Sequence, residues 1–268
     1  LITCFYVIEF IQKIYLERVG QIQILYNTDE ERGNPSSRTI IEKLGKDTTA
    51  GLIIEPARAN GSIVSSRKGS VIGKLETFGI AAHSGVEPEK GASAIYEITK
   101  RITEISKLKI KNGNINVTGL SGGERPNIVP EKAECIIELR ACEQKVLEET
   151  TEKIKKIIAK KPFIPNTKST YKILGQRPAM EFNKKTNTLL KLTEKIYRNA
   201  RIKFSHTSTG GGSDGNYLSA MGVPVLDGLG PIGGRLHTEF EYLQLKSISK
   251  RGAILGSLIL QLSSNPKI

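Results

Sequence analysis

The chain has 268 residues, of which 38% are hydrophobic and 25% charged, the balance of an ordinary globular protein, which excludes collagen-like, disulfide-dense and intrinsically disordered classes. A formal net charge of +13 raises nucleic-acid binding, but the basic residues are dispersed over helical patterns such as 107–111 and 153–161. No aromatic platform or helix-turn-helix signature accompanies them, so they read as a solvated basic face and not as a nucleic-acid site.

The first residue is Leu1 and not Met, which leads us to expect either a fragment of a longer chain or an unusual start. The apolar opening, 1–11, contains Glu9 and lacks a basic n-region and a small-residue cleavage site, so it reads as a helix and not a signal peptide. The spacing predicts a helix over 1–18, a strand over 21–27 and a short helix over 36–45 ending at Gly45. Residues 50–55, AGLIIE, have almost no polar face, as a central parallel strand would. A strand beginning at residue 70 is followed by a helix with Ile95, Ile98, Ile102 and Ile105 along one face. Strands over 112–119 and 132–141, a charged helix over 143–160 and a strand over 169–175 complete a βαββαβ order, the ferredoxin-like sandwich. A helix over 185–199, strands near 201–205 and 223–226, and a C-terminal helix over 246–262 follow. The prediction is an α/β protein in which 1–69 and 182–268 form one domain interrupted by an inserted domain, 70–181. No run reaches the roughly 18 apolar residues of a membrane span. Cys4, Cys135 and Cys142 are an odd, widely spaced set without C-x-x-C spacing, which suits a reducing, cytoplasmic compartment.

The strongest chemical signal is NTDEERG at 27–33, where a predicted buried strand ends and a loop begins. In open α/β sheets that end is where sites are built. Three consecutive acids repel one another, which calls for a cation, a divalent metal being one; a solvated acidic turn capped by Gly33 is the alternative. Glu55 closes the next apolar strand, either as a metal ligand or as an ion-pair partner of Arg58. His237, in GGRLHTEFEY, is either a neutral metal ligand or a structural loop histidine. His83, in AAHSG, follows the first strand of the inserted domain, and Asn127 lies in ERPNIVP. Arg140 closes an apolar strand, placed for bidentate carboxylate recognition or for a surface ion pair. STGGGSDGNY, 208–217, offers backbone N–H groups for close approach to a ligand, but no Lys-Ser/Thr follows its glycines, so it is not a phosphate loop.

NTDEERG, IIEPA, AAHSG, RPNIVP, TGGGSD and LHTEFEY occur in this order, and on them the whole chain resembles the zinc metallopeptidase superfamily of glutamate carboxypeptidase, aminoacylase, acetylornithine deacetylase and succinyl-diaminopimelate desuccinylase. It is most similar to the bacterial glutamate carboxypeptidases. The resemblance implies a zinc-exopeptidase-like α/β catalytic domain interrupted by a dimerisation domain. It implies Glu30 as general base, and Glu31, Glu55 and His237 as ligands of two zinc ions that share and polarise a water. It further implies His83 as an oxyanion donor reaching into a partner subunit's site, with Asn127 and Arg140 on the substrate carboxylate. Gly211, Gly212 and Ser213 would make backbone contacts to a small peptide or acyl-amino-acid substrate. The H-x-D motif and bridging aspartate of such enzymes are absent, so the expectation is a homodimeric hydrolase whose catalytic domain is incomplete at its N-terminus and impaired. The alternative is a non-catalytic relative that keeps only the interaction role of the inserted domain.

Overall fold

The computed structural model describes residues 1–15, 17 and 19–264. The chain forms two compact units, one made of Leu1–Lys68 with Pro178–Ile268, the other of Gly69–Arg177. It leaves the first unit after Lys68 and re-enters it at Pro178. Beside this point Arg67 and Met180 exchange two backbone hydrogen bonds, each 3.0 Å.

The first unit begins with helix α1 (Ile2–Ile14), which buries Thr3, Val7 and Ile11, a spacing of four that makes one stripe. Val7 packs over Gly252 and Gly256 of the last helix, α7 (Leu245–Ser264), whose Ile254, Leu255 and Leu258 join the same core. Ile2, Phe5, Tyr6, Phe10 and Ile14 of the same helix are left exposed. The remaining elements are helix α2 (Ser37–Gly45) and short paired strands. β1 (Gly51–Leu52) runs parallel to β8 (Val225–Leu226). β2 (Ile63–Arg67) runs parallel to β7 (His206–Thr209). β9 (Gly233–Gly234) is antiparallel to β10 (Tyr242–Leu243). Helix α5 (Lys184–Asn199) buries Leu189, Leu190 and Ile196, and the short α6 (Gly215–Ala220) follows the glycine-rich loop.

The second unit is one antiparallel sheet in the order β4 (Gly113–Gly122), β5 (Lys132–Ala141), β3 (Gly69–Phe78), β6 (Lys168–Arg177). Helices α3 (Ala94–Ser106) and α4 (Gln144–Ala159) cover one face, giving the expected βαββαβ order. Strict alternation buries Val71 and Leu75 on β3, and Cys135, Ile137 and Leu139 on β5, as a one-sided sheet requires. Within this core Arg101 pairs with Glu97 at 2.7 Å and donates to the Ile157 and Lys160 carbonyls, tying α3 to the end of α4.

The mixed α/β class is as expected, with local differences. Residues 21–27 form no strand: the run pairs with no neighbour, and Ile22, Ile24, Leu25 and Tyr26 are exposed. Alternation supplies a face but not a partner, and an extended segment without one has no ladder to join. The expected strand near 201–205 lies instead at His206–Thr209, and only Gly51–Leu52 of 50–55 is paired. The helix expected over 1–18 ends at Ile14; Leu16 and Arg18 of that expectation lie outside the described residues. Among the described residues no helix is long and apolar enough to cross a membrane, and the three cysteines are free.

Candidate functional site

Residues 30–32 wind one turn of 3-10 helix that stops at Gly33, whose φ of 83° is left-handed, a conformation glycine adopts without a side-chain clash. The acidic run is relieved from within. Asp29 Oδ2 accepts from the N–H groups of Ser36 and Ser37 at 2.8 and 3.0 Å, and the hydrogen bonds from Ser37, then Ser36, hold its carboxyl below the usual range. It thereby satisfies N–H groups that the first turn of α2 leaves without helical partners. The expected offsetting cation is therefore not needed at this residue.

Asp214, from the glycine-rich loop, braces the same turn: Asn27 Nδ2 donates to its Oδ2 at 2.8 Å and Asn34 Nδ2 to its Oδ1 at 2.7 Å. The Tyr217 hydroxyl donates to the Gly33 carbonyl at 3.2 Å. Glu30 and Glu31 are thus held on a turn fixed from α2 on one side and α6 on the other.

Glu55 stands in the loop after β1, held where Gly230 N donates to the Glu55 carbonyl at 2.9 Å. A Cβ at residue 230 would meet the Ile54 and Glu55 carbonyl oxygens at 2.7 and 2.8 Å, so only glycine allows this approach. The Glu55 carboxylate is half-buried and makes no ion pair within the described residues, with Arg58 or any other. Burial first, then the nearby Asp227, push its pKa up to about 6; Arg67 opposes this, while Glu30 and Asp214 add to it. Glu55 and Glu30 therefore share one electrostatic neighbourhood.

His237 lies in the loop between β9 and β10 with φ at 62°, a conformation sparsely populated by non-glycine residues and frequent at functional sites. Its Nε2 lies 3.9 Å from Glu31 Oε1, and both side chains are largely exposed. The structure thus brings Glu31 to His237 and sets Glu30 near enough to Glu55 to act on its carboxyl. Glu31 and His237 are one short of the three protein ligands of a catalytic zinc. No three His, Cys, Asp or Glu side chains group to hold an ion among the described residues, so the donors present do not complete such a centre.

The glycine-rich loop is organised from below. Arg67 Nε and Nη2 donate to Asp227 Oδ2 and Oδ1 at 2.7 and 2.9 Å, and Nη1 donates to the carbonyls of Gly211 and Gly212 at 3.1 and 3.2 Å. The Ser213 hydroxyl donates to Asp227, and Ser213 N to Asn216 Oδ1 at 2.9 Å. Ser213 is buried with both donors committed, so it shapes the loop. Arg67, Asp227 and Gly230 were not singled out in the sequence; Asp214 and Asn27 lay inside quoted motifs without an assigned role.

In the second unit, His83 Nδ1 accepts from the N–H groups of Gly85 and Val86, both at 3.1 Å. This assigns the proton to Nε2, which is left as a donor. Ser84 N donates to the Asn127 carbonyl at 2.9 Å, placing His83 beside Asn127. Arg140 is elsewhere: it pairs with Glu138 at 2.7 Å and lies opposite Ser70 at the start of β3, whereas the His83 loop follows Phe78 at its end. Eight residues of strand separate these ends, about 26 Å at the usual rise.

Residues 65–163 match the peptidase dimerisation domain family. The chain is 27% identical over 250 residues to carboxypeptidase G2 of Pseudomonas sp., covering 91% of this chain and 60% of that protein. It is 24% identical over 261 residues to succinyl-diaminopimelate desuccinylase of Psychrobacter sp., covering 91% and 63%. Among solved structures, an aminopeptidase from Bacillus cereus superimposes with a TM-score of 0.81 at 21% identity, covering 97% of this chain and 69% of that one. The chain thus spans about 60% of the length of the curated relatives it matches.

Proposed function

We propose, from its similarity to carboxypeptidase G2 and succinyl-diaminopimelate desuccinylase and its match to the peptidase dimerisation domain, that the chain is the larger part of a zinc-dependent hydrolase of that superfamily that cleaves the amide bond of a C-terminal or N-acyl amino acid. The observation that carries the reading is the pairing of Glu31 with His237 at 3.9 Å beside Glu30 and the unpaired, half-buried Glu55, whose pKa is pushed up to about 6. Carboxylates kept apart from cations inside a protein are costly and cluster at functional sites. Glu30 is the base: it takes a proton from the attacking water and returns it to the leaving amine. Glu31, Glu55 and His237 would be metal donors, and a working centre would need further donors beside them.

The active species is a homodimer. His83 and Asn127 lie together while Arg140 stands at the far end of the same sheet, which supports His83 donating its Nε2 proton to the oxyanion in a partner's site. Arg140 and, entering with His83, Asn127 of the partner subunit would contact the substrate carboxylate; Gly211 and Gly212 would offer backbone contacts to the substrate, and Ser213 would shape their loop.

A second reading, a non-catalytic relative that acts through its dimerisation domain, is favoured by the incomplete donor set. Zinc content and hydrolysis of a C-terminal glutamate amide separate the two. They would be measured on the chain alone and with the uncovered part of carboxypeptidase G2 added as a separate polypeptide. We expect weak zinc binding and negligible turnover alone, and turnover on addition. Turnover by the chain alone would overturn the incomplete-site account. No turnover with zinc bound in the reconstituted species would favour the second reading.

A further inference from the structure

Two arginines stand near Glu55, and they are used differently. Arg67 is saturated by Asp227 and two carbonyls. Arg58 is not: its side chain is half-buried and donates no hydrogen bond to a described residue, although a guanidinium carries five N–H donors. Its backbone is fixed, because Arg58 N donates to the Ser62 carbonyl at 3.0 Å and Gly61 N to the Arg58 carbonyl at 2.7 Å. It forms one wall of a cleft of about 440 Å³, with Ala59, Asn60, Thr207, Ser208 and Thr209 as the rest of the lining. No carboxylate lines this space.

We propose that this cleft is an anion subsite for a further carboxylate of a small ligand, distinct from the one assigned to Asn127 and Arg140, with the Arg58 guanidinium as the cation and a hydroxyl of β7 as a neutral donor. The pairing of β2 with β7, Val64 opposite Thr207 and Arg67 opposite Thr209, fixes the hydroxyl-bearing wall. Thr207 spends its hydroxyl on the Ser208 carbonyl at 3.2 Å, whereas the Ser208 and Thr209 hydroxyls have no partner among the described residues. Burial, then Arg67, pull the Arg58 pKa down against Asp227 and Glu55, so the charged guanidinium is under-compensated and a bound anion would offset the deficit. A planar carboxylate matches the guanidinium fork. With one cation in the cleft and Glu55 nearby, a monoanion suits it better than a dianionic phosphate.

The inference deepens the hydrolase reading and rests on it only for the ligand's identity; the subsite itself needs neither metal nor turnover. The test is calorimetric titration of the metal-free full chain with N-acetylalanine, N-acetylalanine amide and inorganic phosphate. The Arg58 Nε resonance, followed in arginine-labelled protein, reports the location. We expect N-acetylalanine to bind and shift that resonance, and the amide not to bind. Arg58→Gln should weaken binding about tenfold, the loss of one charge-assisted contact, and Arg58→Lys less. Arg198→Gln, a surface substitution on α5, should leave binding unchanged. Equal binding by a folded Arg58→Gln chain, equal loss in Arg198→Gln, or tighter binding of phosphate would each overturn the assignment. Carboxylate binding without turnover in the reconstituted enzyme would sink the hydrolase reading and leave the subsite standing. Turnover with the KM unchanged by Arg58→Gln would do the reverse.

Discussion

Arg67 and Asp227, 160 residues apart in the chain, meet through two parallel hydrogen bonds with side-chain exposures of 6% and 0%. This ion pair joins β2 to the segment after β8 and fixes the glycine-rich loop through the Gly211 and Gly212 carbonyls. Removing one partner leaves an uncompensated buried charge, and such losses run to about 3–5 kcal/mol. Arg67→Leu should therefore lower unfolding free energy by about that amount in urea titration, while Arg67→Leu with Asp227→Leu should lose less. A single variant within 1 kcal/mol of the parent would show the pair to be dispensable.

Glu55 sets a pH dependence. Its folded pKa, about 6, is above the ordinary carboxyl value, so between about 4.5 and 6 the folded state holds more protons than the unfolded state. Stability must then fall as pH rises through that window. The shift corresponds to about 2 kcal/mol before allowing for partial exposure, and about 1 kcal/mol after it. Glu55→Gln should flatten the decline between pH 5 and 8 and be the more stable protein at pH 8. Parallel urea curves at the two pH values check this; an unchanged slope in the variant would assign the decline to other groups.

Gly230→Ala tests the backbone contact behind Glu55. The new methyl would sit 2.7 Å from the Ile54 oxygen and 2.8 Å from the Glu55 oxygen, and backbone cannot swing aside as a flexible side chain can. The cost should be about 1–3 kcal/mol, typical of overpacking. The Glu55 carboxyl titration, followed by carbon NMR, should move with it.

The exposed face of α1 makes a measurable surface. Phe5 and Tyr6 are 62% and 67% exposed, with Phe10 and Ile14 also exposed on the same helix, apolar area of the kind that binds partners or self-associates. Phe5→Ser with Phe10→Ser should cut binding of a hydrophobic fluorescent dye and slow aggregation, while moving stability by no more than about 0.5 kcal/mol. Unchanged dye binding would place the sticky surface elsewhere.

The inserted unit was legible because its signals are local. Val71 and Leu75 alternate on β3, and the Ile98 and Ile105 positions repeat on α3, so both periods stand in the sequence. The first unit hides more. Residues 21–27 alternate as well as any strand but have no neighbour to pair with, and β2 was missed because Ser65 and Ser66 break the apolar run. Ser65 is buried nonetheless, since its hydroxyl meets His206 Nδ1 at 2.8 Å. Glu30, Glu31, Glu55 and His237 were visible as motifs. The Arg67–Asp227 pair beneath them was not, because no local pattern marks two residues so far apart.

The paired backbone bonds between Arg67 and Met180 have a consequence for how such a chain is inherited. Both crossings lie side by side, so the 109 residues from Gly69 to Arg177 hang from the other unit as a cassette on adjacent stems. Loop closure across neighbouring stems depends only weakly on what lies between them. Recombination can therefore lengthen, trade or delete the cassette while the acidic turn keeps its own scaffold.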